Sequence, residues 1–192
     1  MMILILGLIL FLGVHSVRIV ADGWRARMIA RVGENRWKGV YTAISLLGFV
    51  LIVYGFALAR RDPQPLYAPA LAWRHANALL TLVAFVLFAA ANVPRNHFKA
   101  TLGHPMAFGT GLWAAGHLLS TGMLSDVVLF GAFGVWALAA FLAGRSRDRA
   151  AGTTYPAGTL RGDLMCVAGG IVIWALFAFL LHGWLIGVKP FG

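Results

Sequence analysis

Six long apolar stretches constrain this chain more than any other feature of its sequence. A hydrocarbon core about 30 Å thick is crossed by roughly 20 apolar residues of α-helix. Only 11% of the residues are charged, against about 25% in a soluble globular domain, so the chain cannot cover a water-facing surface. We therefore predict an all-α integral membrane bundle of six transmembrane helices, forming one domain over residues 1–192. The predicted spans are residues 3–20, 40–59, 76–93, 106–122, 124–143 and 164–188.

The basic residues predict how these helices are oriented. The chain has 16 Lys and Arg against 6 Asp and Glu, and most of the basic residues fall in connections 21–39, 94–105 and 144–163. Cytoplasmic loops carry the excess of Lys and Arg, so we expect these connections in the cytoplasm and both termini on the non-cytoplasmic side. Topology therefore explains the net charge of +10, and no basic–aromatic module indicates nucleic-acid binding.

Several classes of soluble enzyme are excluded by the motifs that the sequence lacks. It contains no P-loop, no dinucleotide-binding glycine fingerprint and no Ser-His-Asp arrangement. The single cysteine, Cys166, excludes a disulfide framework. The bilayer itself is thus the first partner that the sequence predicts.

The six histidines are the main functional clue. Ionisable side chains at membrane depth usually face a bundle interior or a cavity. His15 and His117 lie deepest in the predicted spans, whereas His75 and His182 lie beside Trp or Arg at helix ends, where they are expected to anchor the helix at the interface. A buried histidine can also serve only as a hydrogen-bonding group between helices. A packing role and a ligand role therefore both stay open for the two deep histidines.

The predicted helix over residues 106–122 has two distinct faces. Thr110, Trp113 and His117 recur at helical spacing on a polar and aromatic face. Small residues at positions 107, 111 and 115 form a second face, where a neighbouring helix can pack closely. His104 lies 13 residues before His117, which is a rise of about 20 Å, so these two side chains cannot bind one cofactor.

Haem suits the deep histidines better than a bare metal ion. Zinc sites usually add Cys, Asp, Glu or a third His, and no such set lies at suitable depth. Haem needs only axial ligands and an apolar pocket. We predict His15 and His117 as metal ligands of haem b, with Trp113, Thr110 and His104 as further cofactor-binding candidates. The predicted depths of His15 and His117 differ by about 10 Å, while His104 lies about 8 Å from His15 and competes as a partner.

Five segments carry a resemblance to a known family. The sequence resembles the NnrU family, which are bacterial inner-membrane proteins associated with denitrification and nitric-oxide metabolism. The resemblance implies the same membrane, a role in that metabolism, and a redox or denitrification enzyme as partner. The matching segments are Phe11-Leu-Gly-Val-His15-Ser, Gly33-Glu-Asn-Arg-Trp-Lys-Gly-Val-Tyr41, His104-Pro-Met, Leu112-Trp-Ala-Ala-Gly-His117-Leu-Leu and His182-Gly-Trp-Leu-Ile-Gly-Val.

The same histidine frame is similar to that of 15-cis-zeta-carotene isomerase. That likeness implies a b-type haem held at the positions of His15 and His117. The chain departs from the isomerase at Gly103, where the isomerase has Arg, and at Ala114, where it often has Cys. These departures leave the haem prediction in place and weaken the isomerase prediction, because exchange of a ligand through that Cys is excluded.

Three functions follow from the resemblance. The first is a haem-b protein that supports nitrogen-oxide chemistry, the second a haem-dependent cis-trans isomerase of a polyene in the bilayer, and the third a non-catalytic membrane assembly partner. His104, Pro105 and Gly109 also resemble the His-Pro motif of isoprenylcysteine-type membrane methyltransferases. That interpretation fails because the chain has one glutamate, Glu34, and so lacks the acidic segment that holds the methyl donor.

Overall fold

The computed structural model describes residues 1–191, of which most are helical and none lies in a β-strand. Charged or polar connections separate the helices, and Gly33, Gly103 and Gly152 take positive φ angles at three of the helix ends. The helices are α1 (Met2–Val20), α2 (Asp22–Val32), α3 (Glu34–Ala59), α4 (Ala72–Asn92), α5 (His97–Leu102), α6 (Pro105–Ser120), α7 (Leu124–Ala151), α8 (Leu160–Leu176) and α9 (His182–Ile186). A π-helical turn, Phe177–Leu181, joins α8 to α9.

Five of these helices are long and apolar enough to cross a membrane. They are α1, α3, α4, α7 and the continuous segment Leu160–Ile186. The chain is therefore a membrane protein by its helices, as predicted. The fourth predicted span, residues 106–122, corresponds to α6, which has 16 residues and a length of about 24 Å. Because α6 is shorter than a typical span, the structure supports five of the six predicted spans by length.

The long helices pack side by side in the order α3, α1, α7, α6, α4, α8. The tightest pairs are α1 with α3 and α4 with α6, and α7 joins the two pairs. A core cluster of buried hydrophobic residues lies where α1, α3, α6 and α7 meet and includes Leu4, Ile52, Ala114 and Phe130. Because α7 lies between α1 and α6, its side chains contact both helices.

Glycines allow α1 and α3 to approach at backbone distance. A Cβ on Gly7 would lie 2.6 Å from the backbone nitrogen of Ile52, and a Cβ on Gly48 would lie 2.7 Å from that of Phe11. Small residues at crossings are the usual means of close helix packing in membranes, where apolar surface alone provides little drive for association. Gly48 therefore positions Phe11 and, four residues later, His15.

A buried asparagine organises the connection between α4 and α5. Asn96 is 1% exposed, and its side-chain oxygen accepts a hydrogen bond from the backbone N–H of Lys99 at 2.7 Å. Its amide donates to the carbonyl oxygens of Ala90 and Val93 at 3.0 and 2.6 Å. One side chain thus caps α5 and ends α4.

Candidate functional site

His15 lies on α1 among aromatic rings of three helices. Its ring stacks on Phe11 with centroids 4.2 Å apart, and it faces Tyr41 of α3 at 5.1 Å and Trp136 of α7 at 6.1 Å. The Nδ1 atom lies 2.6 Å from the carbonyl oxygen of Phe11. Because a carbonyl only accepts, Nδ1 carries the proton, and the Nε2 atom of a neutral ring keeps its lone pair.

His117 repeats this arrangement on α6. Its Nδ1 atom donates to the carbonyl oxygen of Trp113 at 2.8 Å. Its ring stacks on Phe130 of α7 with centroids 4.3 Å apart and planes 18° apart. The Nε2 atom again keeps a lone pair when the ring is neutral. The two deep histidines therefore present the same free atom from different helices.

A continuous set of aromatic rings in tilted and edge-to-face contact, which we call the aromatic seam, connects the two histidines. Phe133 of α7 lies at its centre, 5.8 Å from Phe11 and 5.5 Å from Trp113 between ring centroids. The seam consists of Phe11, Trp113, Phe130, Phe133 and Trp136. The prediction that Trp113 shares the surroundings of His117 agrees with this geometry.

The two imidazoles are offset along α7. His117 stacks on Phe130 and His15 faces Trp136, six residues further along α7. Six residues of α-helix rise about 9 Å, which is close to the depth difference expected from the sequence. Phe133 lies between these two positions, so the imidazoles are not face to face across one plane in this packing.

Thr110 and His104 are held by other interactions. The Thr110 hydroxyl donates to the carbonyl oxygen of Met106 at 3.0 Å within its own helix. His104, at the start of α6, places Nε2 2.9 Å from Asp148 Oδ2. Its ring lies against Gly144 of α7, where an added Cβ would approach within 2.6 Å. The structure therefore does not bring His104 together with His15 and His117.

Asp148 and Tyr155 form a polar cluster with His104. The Tyr155 hydroxyl donates to Asp148 Oδ2 at 2.7 Å. Burial raises the pKa of the Tyr155 phenol above its ordinary value, and the hydrogen bond to Asp148 raises it further. No pattern in the sequence predicts this cluster, because its members are 44 and 7 residues apart and lie outside any motif.

The remaining histidines lie near the ends of helices. His75 is exposed at the start of α4, and His97 pairs with Asp163 at 2.7 Å while 62% exposed. His182 donates through Nδ1 to the carbonyl oxygen of Val188 at 2.7 Å. These positions suit anchoring and helix-end roles, as the sequence predicted for His75 and His182.

The donor chemistry of the seam fits a haem. Metal-bound histidines usually donate the second ring nitrogen to a carbonyl or carboxylate, and both deep histidines do so. The indole nitrogen of Trp136 is buried without a hydrogen-bond partner in the described structure, so a polar atom beside His15 is free. Among residues 1–191 there is no cluster of three or more His, Cys, Asp or Glu for a bare ion.

Comparison with known proteins identifies the family. No curated protein and no solved structure matches the chain. The family described as NnrU protein matches residues 3–190, nearly the whole chain, and this match includes His15, His104, His117 and His182. The resemblance noted in the sequence is therefore confirmed, and the chain belongs to the NnrU family.

Proposed function

We propose that this NnrU-family protein binds a b-type haem in the bacterial inner membrane through His15 and His117, and supports nitric-oxide metabolism during denitrification. One observation carries the proposal: two half-buried imidazoles donate Nδ1–H to the carbonyl four residues earlier and keep Nε2 free at the ends of one aromatic seam. A neutral imidazole held in this tautomer is the usual ligand form. Packing alone does not require the same tautomer at both sites.

Each group of residues in the site would have a different role. His15 and His117 would supply the axial nitrogens, and the aromatic seam would supply apolar walls that exclude water. Trp136 offers an N–H donor beside His15. When bound, haem would supply one-electron chemistry to nitrogen-oxide metabolism.

Absorption spectra of the purified protein test the haem proposal. We expect a Soret band in the oxidised and reduced protein, and its loss or shift in the separate variants His15→Ala and His117→Ala. His97→Ala is the matched control, because His97 is exposed and bonded to Asp163. Elution as a monodisperse species in detergent shows that a variant is folded. A colourless, folded wild-type protein that does not take up added hemin would refute the proposal.

The proposed topology has six spans and both termini on the non-cytoplasmic side. This requires α6 to cross the membrane although it is only 16 residues long, with the bilayer thinned locally or the flanking connections entering the interface. Reporter fusions at each terminus distinguish the two topologies. Six spans place both reporters on the same side, whereas five spans place them on opposite sides.

The role in nitrogen-oxide metabolism is tested in the organism. We expect loss of the gene to impair anaerobic growth on nitrate or nitrite, and we expect a denitrification enzyme to co-purify with the protein. Restoration by wild type but not by His117→Ala supports a haem-dependent role. Full restoration by the double variant His15→Ala with His117→Ala would instead show an assembly role that needs no haem.

A further inference from the structure

A second apolar site lies between α1, α2 and α3. It is a groove of about 330 Å³. Trp24 of α2 and Trp37 of α3 stand at one end with ring centroids 5.8 Å apart. Its walls are apolar or aromatic and consist of Ile9, Leu10, Gly13, Val14, Val17, Trp24, Trp37, Val40, Tyr41 and Ile44.

The groove runs along α1 over a length that matches most of one leaflet. On α1 it extends from Ile9 to Val17, which is a rise of about 12 Å. One leaflet contributes about 15 Å of a 30 Å hydrocarbon core. Gly13 lies in the wall, and a Cβ there would meet no atom within 4 Å. The groove is thus open at its middle and is shaped for an extended chain.

Arginines without a carboxylate partner occur on α2 and beside it, and Arg27 and Arg31 lie three and seven residues after Trp24, on the same face of α2. Arg25 and Lys38 have carboxylate partners in Asp22 and Glu34. In contrast, four exposed arginines of this region lie beyond salt-bridge distance of any carboxylate in the described chain. They are Arg18, Arg27, Arg31 and Arg36.

We propose that this groove binds an anionic phospholipid, with one acyl chain between α1 and α3 and the phosphate at the arginines of α2. The apolar walls recognise the chain, and the surplus of positive charge at one end selects an anionic headgroup over a zwitterionic one. The paired tryptophans lie where amphipathic rings favour the headgroup boundary. His15 and His117 do not line the groove, so the lipid site uses other side chains than the proposed haem ligands, although its wall residue Tyr41 also faces His15 at 5.1 Å.

Lipid titration of the purified full-length protein in a non-ionic detergent tests the site. Phosphatidylglycerol is added, with phosphatidylcholine and inorganic phosphate as comparators, and bound lipid is counted by native mass spectrometry. Gly13→Leu fills the groove without a clash, and Gly169→Leu is its control, since a Cβ on Gly169 also meets no atom within 4 Å. Arg27→Gln with Arg31→Gln removes charge at the groove, and Arg61→Gln with Arg74→Gln removes the same charge elsewhere.

The expected results follow from the two parts of the site. Each basic residue near an anionic headgroup contributes about fivefold to binding, so the Arg27 and Arg31 variant should lose roughly thirty-fold in phosphatidylglycerol affinity and keep its phosphatidylcholine affinity. Gly13→Leu should lose at least tenfold for phosphatidylglycerol, whereas both control variants bind as wild type. Equal binding of the two lipids by wild type, unchanged binding in Gly13→Leu, or full competition by inorganic phosphate would each overturn the proposal.

Discussion

The close crossing of α1 and α3 predicts that Gly48→Ala destabilises the protein although alanine favours helices. A Cβ at position 48 would lie 2.7 Å from the backbone nitrogen of Phe11 and 3.0 Å from its Cα. Ordinary van der Waals contact begins near 3.4 Å, so α1 must move away from α3 by about 0.7 Å, and backbone atoms cannot rotate aside as a flexible side chain does.

The magnitude follows from two opposing effects. Overpacking of a close-packed contact costs about 1–3 kcal/mol, and replacing glycine by alanine inside a helix contributes up to about 1 kcal/mol in the other direction. Gly13→Ala on α1 has the helix effect without the clash, because its Cβ meets no atom within 4 Å. We therefore expect Gly48→Ala to be less stable than Gly13→Ala by about 1–3 kcal/mol in free energy of unfolding.

Reversible unfolding in mixed micelles with increasing dodecyl sulfate, followed by far-UV circular dichroism, measures this difference. The displacement also acts on the site, since the carbonyl of Phe11 accepts the hydrogen bond from His15. Gly48→Ala should therefore alter any haem spectrum, and Gly13→Ala should leave it unchanged. If Gly48→Ala is as stable as Gly13→Ala, the backbone contact between α1 and α3 does not exist as described.

Two further predictions concern the polar groups at helix ends. Asn96→Ala removes a cap and leaves the carbonyls of Ala90 and Val93 without their donor, so the free energy of unfolding should fall by about 2–4 kcal/mol. Asn96→Ser, which keeps a neutral cap acceptor, should lose less, and equal losses would contradict this account. The pKa of Tyr155 is raised by burial and by Asp148. The neutral phenol therefore stabilises the folded state fully below pH 10, and this stabilisation is lost as the pH rises through the higher pKa of the folded protein. In thermal unfolding from pH 7 to 11, the difference in melting temperature between wild type and Tyr155→Phe should stay constant and narrow only above pH 10. A difference that already shrinks near neutral pH would refute this assignment.

The apolar stretches predicted the positions of the long helices because burial from water depends on the composition of a continuous run. The predicted ends were less accurate at charged residues. The predicted span 124–143 continues as helix through Gly144 to Ala151, because arginine favours helices and no proline occurs before Gly152, which adopts a left-handed conformation. Hydrophobicity predicts which residues lie in the membrane, whereas helix propensity and the positions of glycines predict where the helix ends.

Contacts between distant residues were not predictable from local pattern. Asn96 reads as a loop residue, yet it is the most buried polar side chain of the described structure. Asp148 is one acid in a basic run, and its pairing with His104 depends on how α6 and α7 cross. A motif search finds residues that are close along the chain, and these two sites are assembled only by packing.

The offset between His15 and His117 shows that the site predicted from the sequence left out α7. The predicted site used α1 and α6, and the depth difference of about 10 Å counted against it. In the structure α7 lies between those helices, and Phe130, Phe133 and Trp136, spaced three residues apart, bridge the offset with rings. That spacing is visible in the sequence as one face of a helix. Because α7 contributes no histidine yet its rings contact both, Phe133 lies between the surroundings of the two imidazoles, in contact with Phe11 and Trp113.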